Sequence, residues 1–479
     1  MLRKIIPICL LFLHQSALFS AENWTKISTP HFEIDTQLSP PEAMRTLDMF
    51  EQTRAVFEQI GLARSLPGQP LRIIDLSSNA EYSRFLVKPG AYGCYQRGRR
   101  GDYIVVRDLE PAHYQVAVHE YTHYVVEHAG LVLPVWLNEG VAELYSTVEV
   151  RRGECIIGRA HAGRLAALAT YRRLPLPVLF QVDASSRYYN DPTAMQIFYA
   201  ESWLLTHMLA LGNGYSQHFN SFVQAISAGE TAETALQNCY GKSVQRVETE
   251  LDAYMRQKNF PAVSYHLDMQ LLAFEPVIGA LSKTELDLSA ADLLASNATS
   301  GADALEEVKE LARRHPNEPA FDETLGYVAL RTNQADEARA HFASAVEHQS
   351  DDPVAIYNAA RLQQSAGAAP ERIIPLLERV LRLKPDYEPA RLDLGFTAAR
   401  ANRFDLAFST LSELKKPDPK VAYEVFYTLA FCELQLHRPG DAASYAVEAQ
   451  QQARNTEQRQ KADELLRFIG RQQVALLQR

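Results

Sequence analysis

The chain has 479 residues, too many for one hydrophobic core, so two or three domains are expected. Hydrophobic residues make up 47% and charged residues 22%, the balance of an ordinary soluble globular protein. The net charge of −10 argues against a nucleic-acid binder, and no basic block points to an anionic membrane surface.

The first twenty residues read as a signal peptide. Arg3 and Lys4 form a positive start, and Ile5 to Leu13 is an apolar run too short to span a bilayer. Leu18-Phe19-Ser20 before Ala21 offers a cleavage site near position 20. A buried N-terminal strand is the alternative reading. Cys9 sits in the wrong context for a lipoprotein acceptor, and no later run is long enough for a transmembrane helix. These features predict a mature protein that is periplasmic or secreted. Cys94, Cys155, Cys239 and Cys432 follow, none in a CxxC pair, so a zinc–thiolate cluster is not expected. A disulfide between Cys94 and Cys155 and buried free thiols both remain open.

Trp24 to Ser28 and His31 to Ile34 alternate like strands. A helix is expected from Pro40 to about Ile60, with Met44, Leu47, Phe50 and Phe57 at helical spacing. Leu71 to Leu76 and Tyr103 to Val106 read as strands, and from His113 the pattern turns mainly helical. His119 and His123 are four apart, which on a helix puts both on one face about 6 Å apart along the axis. Two imidazoles so placed can converge on one zinc at about 2.0–2.1 Å. No Gly or Pro interrupts residues 112–129. Glu120 follows the first histidine, where it reaches a water beside the metal rather than the metal itself.

A second helical segment follows Pro134 and reads Trp136-Leu137-Asn138-Glu139-Gly140-Val141-Ala142-Glu143. Glu139 and Glu143 again share a face. A catalytic zinc takes three protein ligands and keeps one open position, and Glu139 completes a His-His-Glu set. Glu143 then accepts a hydrogen bond from a ligand imidazole. Glu127 continues the histidine face but lies a turn too far to reach the same ion. His113 and His128 read as surface or packing residues.

His-Glu-x-x-His followed by Trp-Leu-x-Glu-Gly-x-Ala-Glu resembles the gluzincin peptidases, in particular the peptidase MA-like families of exported bacterial proteins. The match is close over residues 119–143 and looser from about 24 to 260. It implies an α+β, thermolysin-like catalytic domain and a zinc ion (Zn2+). The ligands would be His119, His123 and Glu139, with Glu143 behind them and Glu120 as general base and acid. The metzincin pattern is absent, since Val126 and Ala129 stand where it needs Gly and His. The segment Tyr199-Ala200-Glu201-Ser202 is similar to the zinc aminopeptidase stretch that carries the transition-state tyrosine, but lacks its Lys and Gly. Tyr199 is the candidate oxyanion donor, a core tyrosine is the alternative, and Tyr188 and Tyr189 are lesser candidates. The aminopeptidase Gly-x-Met-Glu-Asn edge-strand signature is missing, with Tyr103 to Asp108 reading Tyr-Ile-Val-Val-Arg-Asp. That favours an endopeptidase acting on a peptide or protein.

The C-terminal part is periodic. Small residues recur at Ala304, Ala338, Ala407 and Ala442, and Gly326, Gly395 and Ala430 each lie twelve before one of the last three. Val308, Phe342 and Leu411 follow by four. This looks like tetratricopeptide (TPR) repeats of about 34 residues, whose small residues let paired helices approach and whose large ones fill between them. A non-repetitive helical domain is the alternative. The expected layout is a signal peptide (1–20), peptidase domain (21–265), linker (266–284), all-α TPR solenoid (285–454) and capping helix (455–479). The repeats would bind a protein partner or substrate. A TPR scaffold with a zinc-binding but inactive peptidase-like domain is the competing function.

Overall fold

A computed structural model describes residues 24–63, 66–76, 82, 92–296 and 302–477. The signal-peptide reading lies outside them. The chain forms two compact units, residues 1–305 and 306–479. No described helix is long and apolar enough to cross a membrane.

The first unit is built on a six-stranded sheet in the order β4-β5-β3-β2-β1-β9. The strands are β1 (Thr25–Ser28), β2 (Phe32–Thr36), β3 (Leu71–Leu76), β4 (Gly93–Arg97), β5 (Asp102–Arg107) and β9 (Val277–Ala280). β2, β3 and β5 run parallel, while β4 and β1 are antiparallel to their neighbours. Helix α1 (Pro40–Gln59) begins where Ser39 donates its backbone N–H to Glu42 at 3.1 Å and Pro40 presets the first turn. Its Phe50 and Phe57 pack with Phe32 and Tyr121, Phe57 stacking on Tyr121 at 5.6 Å. That aromatic cluster fixes one face of α2 (Tyr114–His128) and turns the other outward.

Helix α3 (Val135–Tyr145) follows, then a small antiparallel sheet of β6 (Glu149–Arg151), β7 (Glu154–Ile157) and β8 (Val263–His266). Next come α4 (Ala162–Thr170), two single helical turns, and α5 (Pro192–Leu211), which is capped by Asp191 accepting from Thr193 and Ala194 N–H at 3.1 and 2.8 Å. α5 is apolar nearly all round and forms a second core with α3, centred on Trp136, Phe198 and Trp203. α6 (Phe219–Ser227), α7 (Ala232–Tyr240) and α8 (Val244–Met255) close over it.

Gly140 lets α3 and α5 meet. A Cβ there would lie 2.6 Å from the Ser202 carbonyl oxygen and collide with the Thr206 side chain. Backbone cannot yield as a flexible side chain does. Gly140→Ala is expected to cost about 1–3 kcal/mol of stability, read by chemical denaturation. An unchanged midpoint would mean that the two helices slide apart freely.

The structure places the domain boundary later than expected. Segment 266–284 is no linker, because it supplies β9, which pairs with β1, and the start of α9 (Lys283–Ser296). α9 belongs to the first unit rather than to a first repeat. Its Asp292 accepts from Arg99 N–H at 3.2 Å, Arg100 N–H at 3.0 Å and the Tyr103 hydroxyl at 3.0 Å, closing the β4–β5 turn. Cys94, Cys155, Cys239 and Cys432 are free thiols, and Cys94 and Cys155 stand on different sheets.

The second unit is a stack of helical hairpins: Pro319–Arg331 with Ala335–Glu347, Pro353–Ser365 with Pro370–Leu383, Glu388–Arg400 with Phe404–Leu411, and Ala422–Gln435 with Pro439–Gln452. The helix Thr456–Leu477 packs on the last pair. Packing runs mainly between neighbours along the chain, as in a solenoid. The small-against-large pattern is realised directly. A Cβ on Gly326 would lie 2.8–2.9 Å from the Phe342 ring, and one on Gly395 would run into Leu411. Ala338, Ala407 and Ala442 are fully buried.

Candidate active site

α2 ends at His128, and Gly130 just beyond its cap has a φ of +71°, a left-handed conformation that glycine adopts without strain. Gly130 N–H donates to Glu127 O at 3.0 Å and Leu131 N–H to Val126 O at 3.3 Å, so the chain turns sharply. Pro134 then starts α3, which returns past α2. The turn brings Glu139 to the histidine face.

His119 Nε2 lies 3.1 Å from Glu139 Oε2 and 3.1 Å from His123 Nε2, while His123 Nε2 lies 3.4 Å from the same Glu139 oxygen. A tetrahedral ion with bonds of about 2.0–2.1 Å holds its donors about 3.3 Å apart (an edge is about 1.6 bond lengths). The three measured separations fit that edge. This trio is the one group of three metal-ligating side chains found among the described residues.

Protonation makes the same point. His119 Nδ1 faces Glu143 Oε1 at 3.3 Å, and a carboxylate only accepts, so Nδ1 carries the proton. A neutral His119 then presents an Nε2 lone pair to a carboxylate oxygen. Only a proton or a metal cation between them relieves the repulsion. Burial disfavours charge on His119, yet Glu139 and Glu143 hold its pKa up at about 10. Burial likewise opposes ionisation of Glu139, but His123 and His119 outweigh it and keep that carboxyl well below its usual range.

Two partners of this set went unread in the sequence: Arg164 was not singled out there, and Tyr189 was offered only as a lesser oxyanion donor. Arg164, from α4, grips Glu143 with Nε at 2.8 Å and Nη2 at 2.5 Å. Burial alone would raise Glu143, but Arg164 and His119 hold it at about 2. The Tyr189 hydroxyl donates to Glu139 Oε1 at 2.9 Å, leaving Oε2 for the histidines. Both partners are distant in sequence and carry no motif. Such supporting contacts tune metal sites by about 10- to 100-fold, so Glu143→Gln is expected to weaken zinc binding by that factor in a chelator competition. Unchanged affinity would show that Glu143 does not orient His119.

Glu120 stands apart from the three donors. Its Oε2 accepts from Tyr95 N–H of β4 at 2.8 Å. Tyr199, on α5, has its ring 6.1 Å from that of His119, with the Arg164 guanidinium 5.1 Å from the Tyr199 ring centre. Glu201, where the aminopeptidase pattern has lysine, is buried and held by Arg173 Nε at 3.0 Å. Tyr188 packs half-buried at the edge of the α3–α5 core. Three residues set aside in the sequence are engaged elsewhere. Glu127 pairs with Arg97 at 2.8 Å, His128 with Asp102 at 2.6 Å, and His113 Nδ1 contacts Asp108 O at 2.8 Å.

The edge strand needs correcting. Tyr103 to Arg107 belongs to β5, which lies inside the sheet, and the edge strand that packs against α2 is β4. β4 reads Gly93-Cys94-Tyr95-Gln96-Arg97. It too lacks the amine-binding carboxylate, and Gln96 donates instead to Leu293 O at 2.7 Å. His119, Glu120, His123, Glu139, Tyr189 and Tyr199 all line one open cleft of about 670 Å³.

No protein-family model matches this chain, and no curated protein matches it. Solved structures similar to part of it include YrrB, described as a TPR protein with an unusual peptide-binding site. That likeness has 18% identity over 38% of this chain and 92% of that one, with a TM-score of 0.32. MamA from Desulfovibrio magneticus RS-1 is similar at 15% identity over 33% and 96%, with a TM-score of 0.25. Likeness at this level carries no fold assignment, and the helical solenoid stands on its own packing.

Proposed function

We propose that the first unit is a zinc-dependent hydrolase of peptide bonds, an endopeptidase of the gluzincin, thermolysin-like type. The observation that supports it most is the convergence of His119 Nε2, His123 Nε2 and Glu139 Oε2 at separations of 3.1–3.4 Å, with Glu120 beside them but outside the donor set. His119, His123 and Glu139 would hold Zn2+. When bound, zinc acidifies a water toward pKa ~7 and polarises a carbonyl. Glu120 takes the proton of the attacking water and returns it to the leaving amine. The Tyr95 N–H, donating to Glu120 Oε2 at 2.8 Å, fixes the direction in which that carboxylate points. Glu143, clamped by Arg164, keeps His119 in one tautomer. Tyr199 donates to the developing oxyanion, a role closed to Tyr189 while its hydroxyl is bonded to Glu139.

The solenoid is read as TPR repeats that bind a protein partner or the substrate chain. Export to the periplasm or outside the cell is proposed from residues 1–20 alone. Metal analysis of the purified protein, paired with hydrolysis of a broad peptide library, tests the reading. Stoichiometric zinc with library cleavage supports it. Zinc without any cleavage leaves a metal-binding scaffold, and absence of zinc removes the site altogether.

A further inference from the structure

The six-stranded sheet ends on two unlike edges. β4 borders the cleft and carries the charge of Arg97, one of the devices that keep an edge strand from pairing with another chain. β9, at the far end, has no such guard. Residues 276–282 read Pro-Val-Ile-Gly-Ala-Leu-Ser, without a charge. Val277 is 67% exposed and Ile278 50%. Successive side chains of a strand point to opposite faces, so β9 is open on both.

Its backbone is open as well. β9 pairs antiparallel with β1, Val277 opposite Ser28 and Ala280 opposite Thr25. Leu281 N–H continues that register by donating to Trp24 O at 3.3 Å. Bonding alternates along an antiparallel pair, so Val277 and Gly279 turn their backbone groups toward β1. Ile278 and Ala280 turn theirs the other way, to the outer side of the sheet.

We propose that β9 pairs with itself: two copies of this chain join β9 to β9, antiparallel, about a two-fold axis at Gly279. A two-fold interface requires a strand that complements its own reverse, and this register meets that demand at each position. Ile278 of one copy lies opposite Ala280 of the other, twice over. The outward N–H groups of Ile278 and Ala280 then meet the outward carbonyls of the same residues, and a large side chain faces a small one. Gly279 meets Gly279 in a non-bonded pair, where Cα atoms approach to about 4.5 Å. Among the described residues nothing lies within 4 Å of where a Cβ on Gly279 would stand, so the axis is clear. Pro276, which has no N–H, comes opposite Ser282, whose N–H is already bonded to Glu285 at 3.0 Å. One step farther out, Glu275 comes opposite Lys283 of the second copy, so the ends attract. The pairing makes one continuous sheet and leaves β4 and its cleft at both far edges. Two four-residue strands bury less than the ~1,200 Å² of a standard interface, so the association is weak and depends on concentration.

Sedimentation velocity on the full chain, across a dilution series, reads the state directly. The wild type is expected to pass from monomer to dimer as its concentration rises toward ~1 mM. Gly279→Lys and Gly279→Glu each set like charges face to face at the axis. Each should weaken the dimer by at least about tenfold without lowering the Tm, since the added side chain meets open space. Mixed together, the two variants should associate at least as tightly as the wild type, because opposite charges then meet. A wild type that stays monomeric throughout overturns the proposal and leaves β9 to an extended segment of another protein. A dimer that survives in both variants overturns it too, as does a mixture that stays monomeric while both variants keep the wild-type Tm. A lowered Tm in both would show that Gly279 is not the open position this register needs.

Discussion

Glu120→Gln is expected to lower kcat/KM by about 10²- to 10⁴-fold while leaving zinc content and stability unchanged, since that range is what a positioned general base contributes. Three observations make this substitution clean. Glu120 is not among the converging donors, so losing its charge removes no ligand. Its contact is with the Tyr95 N–H, and a glutamine carbonyl can accept from the same donor. The side chain keeps its size, so the close approach of Gly93, where a Cβ would stand 3.1 Å from Glu120 Cγ, is undisturbed. What is lost is the capacity to take a proton from water. Metal analysis and peptide hydrolysis on the same preparation measure both halves. Full retained activity would remove Glu120 from the mechanism, and loss of zinc would show that it coordinates.

The parts of this site that could be read from the sequence are those written at helical spacing. His119 with His123 and Glu139 with Glu143 each lie four apart, and a helix places such pairs on one face without reference to anything else. The repeat signal of the second unit was legible for the same reason, since Gly326 meets Phe342 within a single hairpin. What was not legible depends on distant contacts. Arg164 reaches Glu143 and Tyr189 reaches Glu139 from segments with no motif of their own. β4 is short and polar, with Gln96 and Arg97 in it, so it lacks the apolar alternation that revealed β3 and β5. α9 has the length expected of a repeat helix, yet Asp292 ties it to the β4–β5 turn, a choice no local pattern encodes. That tie moved the boundary and turned an expected linker into a strand of the main sheet.

Glu139→Ala is expected to abolish stoichiometric zinc binding, because it removes one of three donors. Perturbing an outer partner alone costs about 10- to 100-fold in metal affinity, so deleting a ligand should exceed ~100-fold. Two effects compound the loss. Without the carboxylate, His119 Nε2 and His123 Nε2 face each other at 3.1 Å with nothing negative between them, and the nearest remaining carboxylates are Glu120, engaged by the Tyr95 N–H, and Glu143, clamped by Arg164. The Tyr189 hydroxyl also loses the Glu139 acceptor that orients it toward the site. A second readout guards against a variant that merely unfolds. Ligand that binds only the native state stabilises by about 2.7 kcal/mol at a hundredfold excess over Kd. Added zinc should therefore raise the Tm of the wild type and of Glu120→Gln, but not of Glu139→Ala, whose Tm should match that of the metal-free wild type. A zinc-dependent rise in all three proteins would place the third ligand elsewhere. A Tm far below that of the metal-free wild type would instead show that Glu139, buried between α2 and α3, is held there for packing as much as for metal.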